Sequence, residues 1–139
     1  MSGTESFLYR HQIRWGECDP AGIVYSPNIL GYALQAVEAW YETTVGESWT
    51  SVMEARGLLT PWVHVDLDFR QPMRPGDRIA VDLRLTELGN ASLAFRATGL
   101  DGEGRELFQA RLVSCFIDKA TGRPTRIPDD LRGRMSGGP

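Results

Sequence analysis

The amino-acid sequence predicts an α+β domain in which a five-stranded antiparallel sheet wraps around one long helix. Two observations lead to this prediction. Apolar residues recur at helical spacing between residues 30 and 41, and from residue 61 onward apolar and polar residues alternate. Turn sequences separate the alternating runs, as expected for antiparallel strands that follow one another along the chain.

The size and composition of the chain indicate one domain. Its 139 residues fit a single domain, which we place at residues 1–132, with a disordered tail over residues 133–139. The net charge is −3, and the basic residues near the C-terminus are more typical of a solvated surface than of a nucleic-acid site. No apolar run approaches the roughly 18–20 residues of a membrane span. We therefore expect neither nucleic acid nor a membrane as a partner.

The cysteine and histidine content limits the chemistry further. Cys18 and Cys115 are too few for a disulfide framework, and the N-terminal residues lack the pattern of a secretory signal. We therefore expect a cytoplasmic protein. His11 and His64 stand apart from each other and from the cysteines, so we predict no metal site and no cofactor.

The first half of the chain predicts one strand and two helices. Residues 6–15 alternate in part and form the first strand. Ser26 is the expected N-cap of the long helix, with Pro27 at its first helical position, and Gly46 is its expected end. A shorter helix follows over residues 48–56. The apolar positions of the long helix are Leu30, Ala33, Leu34, Val37, Trp40 and Tyr41. This broad apolar face predicts that the long helix lies against the sheet.

The second half of the chain predicts four strands, over residues 61–69, 79–86, 93–98 and 106–118. Hairpin-like turns are expected between them, and Asp101-Gly102-Glu103-Gly104 is the strongest turn sequence. Such a sheet leaves its edges and one face uncovered. We therefore expect the domain to dimerise, and the dimers to form a larger assembly.

Residues 13–28 contain most of the functional information. Asp19-Pro20-Ala21-Gly22 predicts a tight turn, which places the Asp19 carboxylate near the start of the long helix at Ser26. A helix start offers unpaired N–H groups and the positive end of the helix dipole. A carboxylate facing such donors suits chemistry at a carbonyl group, because one group attacks while the other stabilises the oxyanion.

The block Gly16-Glu17-Cys18-Asp19-Pro20-Ala21-Gly22-Ile23-Val24-Tyr25-Ser26-Pro27-Asn28 resembles the hotdog-fold acyl-CoA thioesterases, specifically the 4-hydroxybenzoyl-CoA thioesterase family of the Pseudomonas type. The segment Arg70-Gln71-Pro72-Met73-Arg74-Pro75-Gly76-Asp77 adds weaker support. In element order the resemblance covers residues 7–128. It implies a hotdog fold, a homodimer or a homotetramer built from dimers, and hydrolysis of a coenzyme A thioester.

The resemblance also implies residue roles. Asp19 matches the catalytic aspartate of the family, which attacks the thioester carbonyl or activates water. Ser26 matches the helix-start position whose backbone N–H polarises that carbonyl, although family members often carry Tyr or His there. Leu34 matches the aspartate that binds the ring hydroxyl of 4-hydroxybenzoyl-CoA. Because leucine accepts no hydrogen bond, an unsubstituted or differently substituted aryl-CoA, or a medium aliphatic acyl-CoA, fits better.

Further substrate contacts are predicted at Tyr25, Thr60, Trp62 and His64, together with Leu34. Tyr25 is equally suited to a core or dimer contact, and His64 to a structural role. Glu17 stands two residues before Asp19, so a pair of carboxylates is a weaker mechanistic alternative.

Two alternative functions stay open at the level of the sequence. One is a hotdog dehydratase or hydratase that uses His64 with a carboxylate. The other is a non-catalytic module that binds acyl-CoA. The sequence also leaves open the acyl group, a carrier protein in place of coenzyme A, and the choice between a covalent intermediate and activated water. Leu88-Gly89-Asn90-Ala91 replaces the basic cluster of the family, so the arginines that bind the coenzyme A phosphates are open as well.

Overall fold

A computed structural model describes residues 5–137 and confirms the α+β architecture with a five-stranded antiparallel sheet. The elements in chain order are β1 (Phe7–Gln12), α1 (Ser26–Trp40), α2 (Trp49–Arg56), β2 (Leu58–Leu59), β3 (Trp62–Phe69), β4 (Arg78–Leu88), β5 (Ser92–Leu100), β6 (Glu106–Cys115), β7 (Ile117–Asp118) and α3 (Asp129–Met135). A short 3-10 turn spans Trp15–Glu17, and a π-helical turn over Tyr41–Val45 continues α1.

The five strands lie in the order β1-β4-β5-β6-β3, and every neighbouring pair is antiparallel. The predicted hairpins between β4, β5 and β6 are confirmed. The predicted hairpin between β3 and β4 is wrong, because β3 pairs with β6 and forms an edge of the sheet. Residues 70–77 instead carry the chain from that edge to a position beside β1. Pro72 and Pro75 in this segment lack the N–H groups that strand pairing requires.

Helix α1 packs against β1, β4, β5 and β6 and forms the main core with them. Its buried residues recur every three or four positions, as the helical spacing predicted. They are Ile29, Tyr32, Ala33, Ala36, Val37 and Trp40. Burial of each large apolar side chain contributes about 1.5–3 kcal/mol. The core therefore holds α1 firmly against the sheet.

The predicted helix ends are confirmed. Gly46 has a φ of 80° and ends the π-helical turn, and Gly57 has a φ of 67° and ends α2. These left-handed conformations suit glycine because it has no Cβ. The Ser48 hydroxyl accepts a hydrogen bond from the Ser51 amide at 3.1 Å, as expected of an N-cap.

The C-terminal region differs from the prediction in two ways. The last strand of the main sheet ends at Cys115, and β7 pairs with β2 in a separate two-stranded sheet. Residues 133–135, predicted to be tail, form the last turn of α3. Leu131 and Met135 lie one helical turn apart and are both buried, which explains why the helix extends this far. Residues 138–139 of the predicted tail, and residues 1–4 of the predicted domain, lie outside the described residues.

Strand β3 is one of the two edge strands of the sheet, together with β1. One side of β3 pairs with β6, and its other side pairs with no strand within residues 5–137. Val63 is 60% exposed and Phe69 is 56% exposed, whereas the apolar residues on the inner faces of β4, β5 and β6 are buried. An exposed edge strand of this length that carries apolar side chains is an expected site of pairing with another chain.

No helix in the part of the chain that the structure describes is long and apolar enough to cross a membrane.

Candidate active site

Asp19 lies on a tight turn that its own carboxylate helps to close. The Gly22 amide donates to the Asp19 carbonyl at 2.9 Å, and the Asp19 amide donates to the Ile23 carbonyl at 3.0 Å. Carboxylate atom Oδ1 accepts a hydrogen bond from the Ala21 amide at 2.9 Å, the arrangement of an Asx turn. Gly22 has a φ of 80°, so glycine is the suitable residue there. The predicted turn is therefore confirmed, and it fixes the direction of the Asp19 side chain.

Three segments of the chain meet at this turn. Cys18 pairs with Val24 across its base, and the Val24 amide donates to the Met73 carbonyl at 2.9 Å. The Tyr25 amide donates to the Glu17 carbonyl at 3.0 Å. These bonds hold the Asp19 turn between the connection at residues 70–77 and the start of α1.

The start of α1 presents an unpaired amide, although the predicted cap is wrong by one residue. Tyr25, with an extended backbone, is the N-cap, and its carbonyl accepts a hydrogen bond from the Asn28 amide at 2.8 Å. Ser26 is the first helical residue and its hydroxyl makes no capping bond. The Ser26 amide makes no hydrogen bond to any residue between 5 and 137. It therefore keeps the donor capacity that a helix start provides.

A cleft of about 250 Å³ lies beside Ser26. It is lined by Ile23, Val24, Ser26, Ile29, Phe69, Arg70, Gln71, Pro72 and Met73. Most of this lining is apolar, which suits an apolar acyl group. The sequence analysis did not assign Phe69 or Met73 to the site. The weaker resemblance of residues 70–77 to the family was the signal that pointed to this segment.

Two of the predicted substrate contacts lie at the start of α1 and within it. Tyr25 stands immediately before Ser26 and is 54% exposed, so its ring is available to a ligand or a partner subunit. Leu34 is two helical turns beyond Ser26, partly buried, and packed against the core. It does not line the cleft beside Ser26.

The other predicted contacts lie at or before β3. Thr60 is half-buried just ahead of the strand. Trp62 is half-buried and meets the rings of Trp49 and Phe95 edge to face, with centroid distances of 6.0 and 6.1 Å. His64 is exposed, and its Nε2 lies 2.9 Å from Asp66 on the same strand. None of these residues lines the cleft of the same protomer, so their contacts with substrate stay predictions.

Glu17 is the residue whose importance sequence reasoning missed. Its Oε1 atom accepts hydrogen bonds from the Tyr32 hydroxyl at 2.6 Å and the Arg14 amide at 3.3 Å, and it lies 2.9 Å from Nε2 of His11. Burial raises the pKa of Glu17, but hydrogen bonds from His11 and Tyr32 outweigh burial and leave the pKa below its usual value. A carboxylate engaged in this way is not a free second base beside Asp19.

Known proteins resemble this chain in both sequence and fold. The thioesterase-like superfamily matches residues 13–135. The 1,4-dihydroxy-2-naphthoyl-CoA hydrolase of Synechococcus elongatus is 33% identical over 128 residues, which cover 91% of this chain and 92% of the relative.

Two solved structures are similar over nearly their whole lengths. A thioesterase superfamily protein from Jannaschia sp. CCS1 has 26% identity and a TM-score of 0.88, covering 99% of this chain and 96% of that one. A hypothetical protein from Thermus thermophilus has 32% identity and a TM-score of 0.85, covering 96% and 98%.

These similarities confirm the predicted resemblance to the hotdog-fold acyl-CoA thioesterases and the prediction of a thioester hydrolase. The family match includes the Asp19 turn, the whole of α1 and all six strands after it, and it extends through α3. The chain therefore belongs to the thioesterase-like superfamily.

Proposed function

We propose that this protein hydrolyses an aryl-CoA thioester to the free acid and coenzyme A, and that 1,4-dihydroxy-2-naphthoyl-CoA is the first substrate to test. The observation that carries the proposal is the Asp19 turn held at the unpaired start of α1. The 33% identity to a 1,4-dihydroxy-2-naphthoyl-CoA hydrolase supports the choice of substrate.

In the proposed mechanism, Asp19 acts through its second carboxylate oxygen. Oδ1 is held by the Ala21 amide, whereas Oδ2 makes no hydrogen bond to the described residues. Oδ2 either attacks the thioester carbonyl carbon, so that coenzyme A leaves as a thiolate and water hydrolyses the anhydride, or it takes a proton from the attacking water. In both routes the Ser26 amide and the α1 dipole stabilise the oxyanion.

The acyl group is proposed to enter the apolar cleft beside Ser26. Ile23, Ile29 and Phe69 offer apolar contact to an aromatic ring. Leu34, which matches the family position that binds the ring hydroxyl, lies outside this cleft in the protomer and offers no acceptor. An aryl group without a requirement for that hydrogen bond therefore suits this chain better than 4-hydroxybenzoyl.

We further propose that a second subunit completes the site. The cleft of about 250 Å³ is smaller than the roughly 300–1,000 Å³ of typical ligand pockets. Phe69 belongs both to the cleft and to the open edge strand β3, so a partner paired along β3 would border the cleft. We expect Thr60, Trp62 and His64 to reach the substrate from that partner.

The phosphates of coenzyme A need cations outside residues 88–91, which contain none. Two arginines from the C-terminal region reach this loop. Arg126 donates to the Asn90 side chain at 2.9 Å, and Arg132 donates to the Asn90 carbonyl at 2.9 Å. We propose the exposed Arg126 as a phosphate contact, because a guanidinium binds phosphate oxygens well.

A thiol-trapping assay tests the proposed function. The panel contains 1,4-dihydroxy-2-naphthoyl-CoA, benzoyl-CoA, 4-hydroxybenzoyl-CoA and a medium-chain alkyl-CoA, with a carrier-protein thioester as a further donor. We expect faster thiol release from the first two than from 4-hydroxybenzoyl-CoA. Binding of these esters without release of thiol from any of them would instead establish a binding module. Hydration activity abolished by His64→Ala but not by Asp19→Asn would establish a hydratase.

A further inference from the structure

We propose that Glu17 is a positioning residue of the active site, held by Tyr32 and His11, and that it sets the Asp19 turn against the start of α1. It acts through Asp19 and the Ser26 amide and does not touch the substrate. This inference rests on the proposed function, which assigns the chemistry to Asp19 and Ser26.

The main chain of Glu17 fixes the helix start directly. Its carbonyl oxygen accepts hydrogen bonds from the Tyr25 amide at 3.0 Å and from Nδ2 of Asn28 at 2.8 Å. Tyr25 immediately precedes Ser26, and Asn28 stands two residues after it. One carbonyl oxygen therefore holds both sides of the amide proposed as the oxyanion donor.

The side chain of Glu17 joins three further parts of the molecule. Its Oε1 atom meets His11 of β1, the Arg14 amide at the 3-10 turn, and the Tyr32 hydroxyl in the second turn of α1. The bond from Tyr32, at 2.6 Å, has the short length typical of a hydroxyl that donates to a carboxylate. The ring of His11 also lies against that of Tyr32, with 4.5 Å between centroids. These contacts leave Glu17 little freedom to move.

The chemistry of this cluster fits positioning and not proton transfer. Burial raises the pKa of Glu17, but the hydrogen bonds from His11 and Tyr32 outweigh it and keep the carboxyl ionised at neutral pH. An ionised carboxylate only accepts hydrogen bonds, so Nε2 of His11 carries the proton of that contact. Burial and the bond to Glu17 raise the pKa of Tyr32, so its hydroxyl keeps its proton as well.

A displacement of Glu17 would also displace the reacting groups, Asp19 and the Ser26 amide. Cys18 alone separates Glu17 from Asp19, and Cys18 pairs with Val24 at the base of the turn. Misplacement of a reacting group by about 1 Å costs on the order of 100-fold in rate. Loss of one contact to Glu17 should therefore lower kcat while the apolar cleft, and hence KM, stays nearly unchanged.

The experiment compares two matched removals of a hydroxyl group. Tyr32→Phe removes the donor to Glu17 and keeps the ring. Tyr9→Phe removes a hydroxyl that also links β1 to α1, through a 2.9 Å bond to Gln35, but that makes no bond to Glu17. On the best CoA ester, we expect Tyr32→Phe to lower kcat about tenfold or more, with KM within about twofold. We expect Tyr9→Phe to retain the kcat of the original protein.

Glu17→Gln is the second variant, and it should lower kcat in the same way because a neutral amide oxygen is a weaker acceptor. Amide resonances of Ser26 and Asn28, followed by ¹H–¹⁵N NMR, provide a readout that does not depend on activity. We expect them to shift in Tyr32→Phe and Glu17→Gln and to stay in place in Tyr9→Phe.

The inference is overturned if Tyr32→Phe and Tyr9→Phe have equal kcat, or if the loss of activity matches the loss of folded protein measured by thermal unfolding. Failure of the proposed function would look different. Either no CoA ester would release thiol or Asp19→Asn would keep the kcat of the original protein, and in both cases the amide resonances would still report whether Glu17 holds the start of α1.

Discussion

The two oxygen atoms of the Asp19 carboxylate have different tasks in the proposed mechanism. Oδ1 closes the turn by accepting from the Ala21 amide, and Oδ2 is left for the reaction. Asparagine keeps an oxygen for the turn but places an amide NH₂ where the reactive oxygen was. We therefore expect Asp19→Asn to fold normally and to lower kcat by about 10²–10⁴-fold, the usual contribution of a catalytic base. Thiol release and thermal unfolding measure the two quantities.

Asp101→Asn is the matched control for this substitution. The Asp101 Oδ1 atom also closes a turn, by accepting from the Glu103 and Arg105 amides at 2.9 Å. That turn joins β5 to β6 and does not line the cleft beside Ser26. Asp101→Asn should keep full activity. Near-normal turnover by Asp19→Asn on a good substrate would refute the assigned role.

The residues of the site differ in how well the sequence predicts their contacts. The Asp19 turn and the start of α1 were predictable because both depend on neighbours within a few residues. The contacts of Glu17 with His11 and Tyr32 were not, because these residues meet only when β1 packs beside α1. The N-cap prediction was wrong because Tyr25, and not Ser26, takes the extended backbone at the helix start.

At the scale of elements, ion pairs attach α3 to the rest of the fold. Arg56 at the end of α2 donates to Oδ1 of Asp130 at 3.0 Å and to Glu47 at 2.9 Å. Arg134 donates to the carbonyl of Val45 at 3.0 Å. These bonds connect α3 to α2 and to the turn that follows α1. The sequence did not reveal them, since Arg56 and Asp130 are far apart along the chain.

This attachment predicts a dependence of stability on pH. The hydrogen bond from Arg56 lowers the pKa of Asp130 to about 2. A carboxyl with a lowered pKa stabilises the fold above its unfolded pKa of about 4, and this stabilisation is lost as pH falls towards 2. We expect the melting temperature of Asp130→Asn to lie below that of the original protein at pH 7. The two melting curves should converge as the pH approaches 2.

Asp129→Asn is the neighbouring control for this pH series. Asp129 pairs with Arg126 at the surface, where an ion pair contributes little to stability. The melting temperature of Asp129→Asn should equal that of the original protein at every pH. If Asp130→Asn followed the original protein in the same way, the ion pairs of α3 would have no role in stability.

The order of the strands illustrates why elements are easier to predict than their arrangement. Alternation identified β3, β4, β5 and β6, because successive side chains of a strand point to opposite faces of the sheet. Alternation carries no information about which strand lies beside which. The hairpin turns correctly joined β4 to β5 and β5 to β6. The longer connection at residues 70–77 carried no such signal, so the edge position of β3 became apparent only in the structure.

For the whole molecule, the open edge of β3 is the feature that bears on assembly. The opposite edge of the sheet, β1, also exposes an apolar residue, Leu8, at 47%. The two edges differ in their relation to the site, because Phe69 at the end of β3 lines the cleft beside Ser26. Pairing along β3 would therefore enclose the cleft, and we expect the dimer to form there.

Val63→Lys tests this assembly. Val63 is 60% exposed in the protomer, so a lysine at this position should leave the protomer folded. In a dimer paired along β3, the lysine would be taken out of water without a partner, and lysine on an edge strand opposes pairing. We expect light scattering to show a dimer or tetramer for the original protein and a monomer for Val63→Lys at micromolar concentration. Leu8→Lys on β1 is the matched control and should keep the dimer.

The dependence of activity on concentration then connects the assembly to the chemistry. If a partner completes the cleft, the specific activity of Val63→Lys should be at least about tenfold below that of Leu8→Lys at low concentration, and it should recover as the protein is concentrated, because association follows mass action. A monomeric Val63→Lys with full activity at every concentration would mean that one protomer holds the whole site. In that case Thr60, Trp62 and His64 would lose their proposed contact with substrate, since the cleft of a single protomer does not include them.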